Sequence, residues 1–218
     1  MKKLILALAF FASFVSAAYS QTSMGLTLNS ATIDSDLTDD IDSNGTIDTT
    51  KNVSNDVIFG SIFLERQLPN GLVVGVDLIP FEAEFESRST TQTSRTDGST
   101  DTSGTNKGTA DVSRHLTFYL QPTKELANGT SVFATLGLVR ADVESKVQSV
   151  SSTDKTVDQD LDGTKLGLGL KRPVGNGFIK FEYSQTDYDD ISVTTSNNTK
   201  VTADIDTAIL GLSYGKNF

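Results

Sequence analysis

The chain has 218 residues, a formal net charge of −10, no cysteine, no tryptophan and 37% hydrophobic residues. The missing cysteines exclude disulfides, thiolate metal centres and lipid attachment at an N-terminal Cys, and the acidic balance argues against nucleic acid, whose phosphates require basic patches. Such a low hydrophobic share falls short of a buried globular core and suits a fold whose apolar residues form one thin outer band.

In chain order, Lys2 and Lys3 precede an apolar stretch, Leu4 to Val15, too short to cross a bilayer as a helix and followed by small residues. This is the pattern of a secretory signal peptide over residues 1–20, cleaved after Ala18 or Ser20. Losing Lys2 and Lys3 takes the formal charge from −10 to −12 and leaves one domain, residues 21–218.

Alternating apolar and polar residues then predict eight strands near 23–33, 53–67, 72–86, 110–121, 130–144, 163–172, 178–188 and 203–217. Three connections are short and end in Asn-Gly: Asn70-Gly71, Asn128-Gly129 and Asn176-Gly177. That pair tolerates the positive φ of tight hairpins. The other four, near 34–52, 87–109, 145–162 and 189–202, are long and rich in Ser, Thr, Asp and Asn. Strict alternation of short and long connections predicts a membrane barrel, with tight turns on one rim and long loops on the other.

The periodicity assigns faces. Val112, Leu116, Phe118 and Leu120 face lipid, as do Val132, Ala134, Leu136 and Leu138, then Leu166, Leu168 and Leu170, and Ile179, Phe181 and Tyr183. Strand 53–67 resists orientation, because Val57, Phe59 and Phe63 oppose the equally apolar Ile58, Ile62 and Leu64. The last strand alternates Ala208, Leu210, Leu212 and Tyr214 with Ile209, Gly211 and Ser213, and ends on Phe218. Such a strand must pair with the first one to leave no edge open.

With its leader, strand count, loop asymmetry and terminal aromatic strand, the chain resembles the small eight-stranded outer-membrane barrels of the OmpX-like, OmpW-like and opacity-type group. The resemblance implies an all-β, antiparallel up-and-down barrel in the cell outer membrane of a Gram-negative bacterium, a porin-like member of the cell envelope. It implies that Leu210, Leu212, Tyr214 and Phe218 form the signal read by the barrel-assembly machinery, although Lys216 stands where the pattern has an apolar residue. Expected partners are outer-membrane lipid and lipopolysaccharide, and the barrel is expected as a monomer.

Eight strands enclose a lumen just wide enough for side chains. Asp77, His115, Lys165, Lys171, Lys180 and Glu182 face inward and suit an internal network, because buried charges need partners. Asp40, Asp42, Asn44 and Asp48 have the spacing of a weak calcium loop, with Lys51 in place of its final Glu. A partial second match covers residues 158–163. No other cofactor is expected. Ser113 and His115 share a strand face but lack an orienting third group, so no enzyme is expected, a lipid-modifying one being the remote alternative. The expected role is structural or surface-interacting through acidic loops; the alternative is a narrow channel for water or small solutes.

Overall fold

The computed structural model describes residues 21–40, 45–80, 83–92, 104–148, 155–194 and 200–218. The expected signal peptide lies outside them. Ten strand segments build eight staves: β1 (Gln21–Asp40), β2 (Thr49–Gln67), β3 (Leu72–Ile79) with β4 (Ala83–Gln92), β5 (Gly104–Glu125), β6 (Ser131–Gln148), β7 (Lys155–Val174), β8 (Gly177–Tyr188) with β9 (Ile191–Thr194), and β10 (Lys200–Asn217). Neighbouring staves are antiparallel, and β10 pairs with β1 over eighteen residues to close the barrel. Following paired residues round from Met24 through Leu64, Val76, Phe118, Leu138, Thr164, Asp187 and Asp206 returns to β1 at Asp34, ten residues further on. That stagger tilts the strands by about 40°.

The short connections are tight. Leu68 and Leu72 close the first, and Gly71 sits at φ 81° with its N–H donated to the Leu68 carbonyl at 3.0 Å. Gly129 repeats this at φ 76°. In the third turn the left-handed residue is Gly175, φ 57°, and Gly177 already belongs to β8. The expected long loops are corrected most. β1 runs on to Asp40, β5 begins at Gly104 and β7 at Lys155, so much of each polar stretch is strand. Residues 158–163 therefore form no loop; they pair along β6, where Arg140 bridges Asp160 and Asp162. A stave of 20 residues tilted this way rises about 50 Å, roughly twice the ~25 Å apolar band of a membrane barrel.

Outward Leu, Ile, Phe and Tyr occupy three successive rungs on most staves, as Met24, Leu26 and Leu28 do on β1 and Leu166, Leu168 and Leu170 on β7; Leu168 is 70% exposed. Strand β2 is now oriented: Ile58, Ile62 and Leu64 face out, whereas Ser61, Phe63 and Glu65 are buried inside. One expected lipid-facing residue turns inward. Strand β5 carries an extra residue between Ser113 and Leu116, with Arg114 at φ 48°, and the bulge reverses the alternation above it. Val112 consequently packs against the interior cluster of Val139, Ala141, Val143, Leu161 and Tyr188.

Candidate functional site: a filled lumen and an interrupted wall

The interior is built in three layers. Nearest the short turns, Glu65 accepts hydrogen bonds from Lys180 Nζ at 2.7 Å, Lys171 Nζ at 3.1 Å and the Tyr119 hydroxyl at 3.2 Å. Lys180 Nζ stands among four rings, 4.3 Å from the centroid of Phe63 and 5.7–5.9 Å from those of Tyr119, Phe133 and Phe178. Each ring fills the space that a side chain would take on a glycine of an adjoining stave: Phe63 at Gly25, Tyr119 at Gly75, Phe133 at Gly169 and Phe178 at Gly215. Glycine and aromatic are thus paired across the sheet, and the rings surround the ammonium.

The middle layer is a hydrogen-bonded polar mesh. Lys165 meets Glu182 at 3.3 Å, and Gln121 donates to Glu182 and Thr135. The Asn29 amide donates to Ser61, whose hydroxyl donates to Asp77 at 2.9 Å. Three lysines therefore face three carboxylates, as a low-dielectric interior requires. Above it, His115 Nε2 lies 2.9 Å from the Tyr188 hydroxyl, beneath the apolar cluster. His115 is thus separate from the ion pairs, and Nδ1 is buried with no partner. Ser61, Thr135, Ser184 and Thr186 are each at most 3% exposed, so side chains fill the lumen at these levels.

Sequence reading missed Glu65, the carboxylate on which the lower layer turns. Its parity with Ser61 was the available signal, since a carboxylate facing lipid is excluded by cost. Of the calcium loop, Asp40 ends β1 and accepts the Gly45 N–H at 2.8 Å, and Asp48 stands exposed before β2. Asp42 and Asn44 fall outside the described residues. At the closing strand, Leu210, Leu212 and Tyr214 face outward, and the Phe218 N–H reaches the Thr22 carbonyl at 2.9 Å. Lys216 Nζ sits 5.7 Å from the Phe218 ring.

The wall itself is interrupted. Strands β2 and β3 share six paired residues, ending at Ile62 with Leu78, against nineteen between β1 and β2. Continuing that register sets Pro80 opposite Gly60, and proline has no N–H to give. Above this point β4 pairs with β5, and no pairing joins β2 to β4 among the described residues.

Beyond the apolar belt, Asp34 pairs with Asp206, Asp36 with Asp204 and Asp206 with Asp187, all facing out. Burial raises the Asp206 carboxyl above its ordinary value, and the charges of Asp187, Asp204, Asp34 and Asp36 raise it further. A raised carboxyl binds its proton more tightly folded than unfolded, so the ledge loses stability as pH climbs through that value. Combining Asp34→Asn with Asp206→Asn should stabilise the barrel at pH 7 by about 0.2–1 kcal/mol and flatten this dependence, as read by thermal unfolding at pH 4 and pH 7.

No family model and no curated protein matches the sequence. Among solved structures, the outer membrane protein OprG of Pseudomonas aeruginosa is similar at 17% identity, over 92% of this chain and 97% of that one, with a TM-score of 0.55. Ail, the attachment invasion locus protein of Yersinia pestis, solved with the heparin analogue sucrose octasulfate, is 14% identical over 89% and 99%, TM-score 0.42. The outer membrane protease OmpT of Escherichia coli is 10% identical over 91% and 97%, TM-score 0.47. The chain has the fold of the small eight-stranded outer-membrane barrels. With its belt of outward apolar rungs and the β1–β10 pairing that closes its sheet, it is a β-barrel of the bacterial outer membrane.

Proposed function

We propose that the protein is a sealed membrane anchor that raises an acidic, polar wall above the bilayer for contact with partners outside the cell. The observation that carries this reading is the filled lumen: the Glu65 ion pairs in their aromatic box, the polar mesh and the apolar cluster succeed one another with their side chains buried or half-buried. A path for water needs groups left free to hydrate, whereas the lysines and carboxylates of the lower and middle layers are paired with one another. The barrel acts as a monomer, inserted by the assembly machinery after loss of residues 1–20, and its acidic upper wall meets lipopolysaccharide through the cations bound to it.

In planar bilayers the purified barrel should add no single-channel steps in monovalent salt, and regular steps would overturn the reading. The gap between β2 and β4 favours a second reading, in which apolar solutes entering the upper interior leave sideways into the bilayer. Faster uptake of an apolar dye by barrel-containing vesicles, with conductance still silent, would favour that second role.

A further inference from the structure

The belt is not uniformly covered. On β2 the outward rungs are Ile58, Gly60, Ile62 and Leu64, and the missing side chain at Gly60 leaves a notch. A Cβ built there would meet only the Thr27 carbonyl oxygen, 3.8 Å away. Leu28 is paired directly with Gly60 and Leu212 with Leu28, so the notch widens across β1 and β10. The result is an almost wholly apolar groove of about 590 Å³ that runs from Pro80 and Gly60 past Leu28 and Leu212 to Tyr214 and Ile179. Its volume is that of a small-molecule site.

What stands above it is ordered. On β1 the next outward residues are the hydroxyls Ser30, between Ile58 and Leu210 in register, and Thr32, which donates to Asp56 at 2.7 Å. Beyond them come Asp34, Asp36, Asp204 and Asp206, which face one another in register. Up β1 from the groove the wall therefore offers hydrocarbon, then hydroxyl, then concentrated negative charge. That sequence complements an amphiphile with one alkyl chain, a short polar neck and a cationic head, and it repels an anionic head.

We propose that the Gly60 groove is a binding site for the chain of a cationic amphiphile, its ammonium head held at the aspartate ledge. The rest of the belt meets bulk lipid without selection. The site lies outside the lumen and is independent of whether the barrel conducts.

Photo-crosslinking tests this. The folded barrel, in a neutral maltoside detergent, is irradiated with a dodecyl probe carrying a chain-end diazirine and a trimethylammonium head, or with the same chain on a phosphate head. Peptide mapping should place the cationic probe on segments containing Leu26–Leu28, Ile62 and Leu212, about tenfold above the phosphate probe. Gly60→Leu should remove that labelling, and Leu212→Trp should do so by filling the groove from β10, so that the result stands even if one variant fails to assemble. Asp34→Asn with Asp206→Asn should erase the preference between heads. Labelling spread evenly round the belt, equal labelling by both probes, or labelling that persists in both filled variants would overturn the proposal.

Discussion

Glu65→Leu should destabilise the barrel by about 3–5 kcal/mol, because it leaves Lys171 and Lys180 buried without their counter-charge. Both ammonium groups reach Glu65 directly, and Lys180 and Glu65 are each nearly inaccessible. The aromatic box offsets part of the loss, since a ring attracts a desolvated cation by about 2 kcal/mol. It cannot replace the carboxylate, which also accepts from Tyr119. Adding Lys180→Met and Lys171→Met to Glu65→Leu should recover much of the stability, as apolar groups of similar volume often replace buried ionic groups without penalty. Unfolding in urea, followed by loss of heat-dependent gel mobility, reads both variants.

The second large effect concerns the glycine and ring pairs. Gly75→Val should cost about 1–3 kcal/mol by overpacking, because its Cβ would overlap the Tyr119 ring. Displacing that ring also pulls the Tyr119 hydroxyl away from Glu65, so the substitution reaches the ion-pair layer through Tyr119. Gly169→Val should act alike through Phe133, where the Phe181 carbonyl leaves no room to yield. Gly129→Val offers the contrast: it sits at a turn with open space around it, and its cost comes from φ 76° alone. Adding Tyr119→Ala to Gly75→Val should recover part of the lost stability by making room for the new side chain.

The membrane half of this fold was legible because lipid on one side and a polar lumen on the other impose a period of two. Leu166, Leu168 and Leu170 against Lys165, Gly167 and Lys171 could be read directly. The signal failed wherever one of those two environments was absent. In β7 above Gly163, and in β1 beyond Ile33, the outer face meets water, so Asp, Ser and Thr occupy strands and look like loop. Strand β2 hid its orientation because Phe59 and Phe63 face inward while Ile58 and Ile62 face lipid. Phe63 is inside because Gly25 makes room for its ring, a contact between positions far apart in sequence. The reversal at Val112 depends on one extra residue, which alternation cannot register. Pro80 was visible, but its consequence was not, since only the register with Gly60 shows that a ladder ends there.

The functional residues divide the same way. The inward lysines and carboxylates could be named from parity, yet which of them meet is set by the stagger of the barrel. Lys180 and Glu65 lie on staves β8 and β2, 115 residues apart in sequence, and come together only because the tilted sheet closes.

The filled lumen is best tested by its reach to water. The chain has no native cysteine, so Ser184→Cys, at a site 2% exposed in the middle of the interior, gives a single reporter for a membrane-impermeant maleimide. In the folded barrel it should stay unlabelled while Asp204→Cys on the outer wall reacts fully, and both should react once the barrel is boiled. Labelling of Ser184→Cys in the folded state at the rate of the Asp204→Cys control would contradict a packed interior.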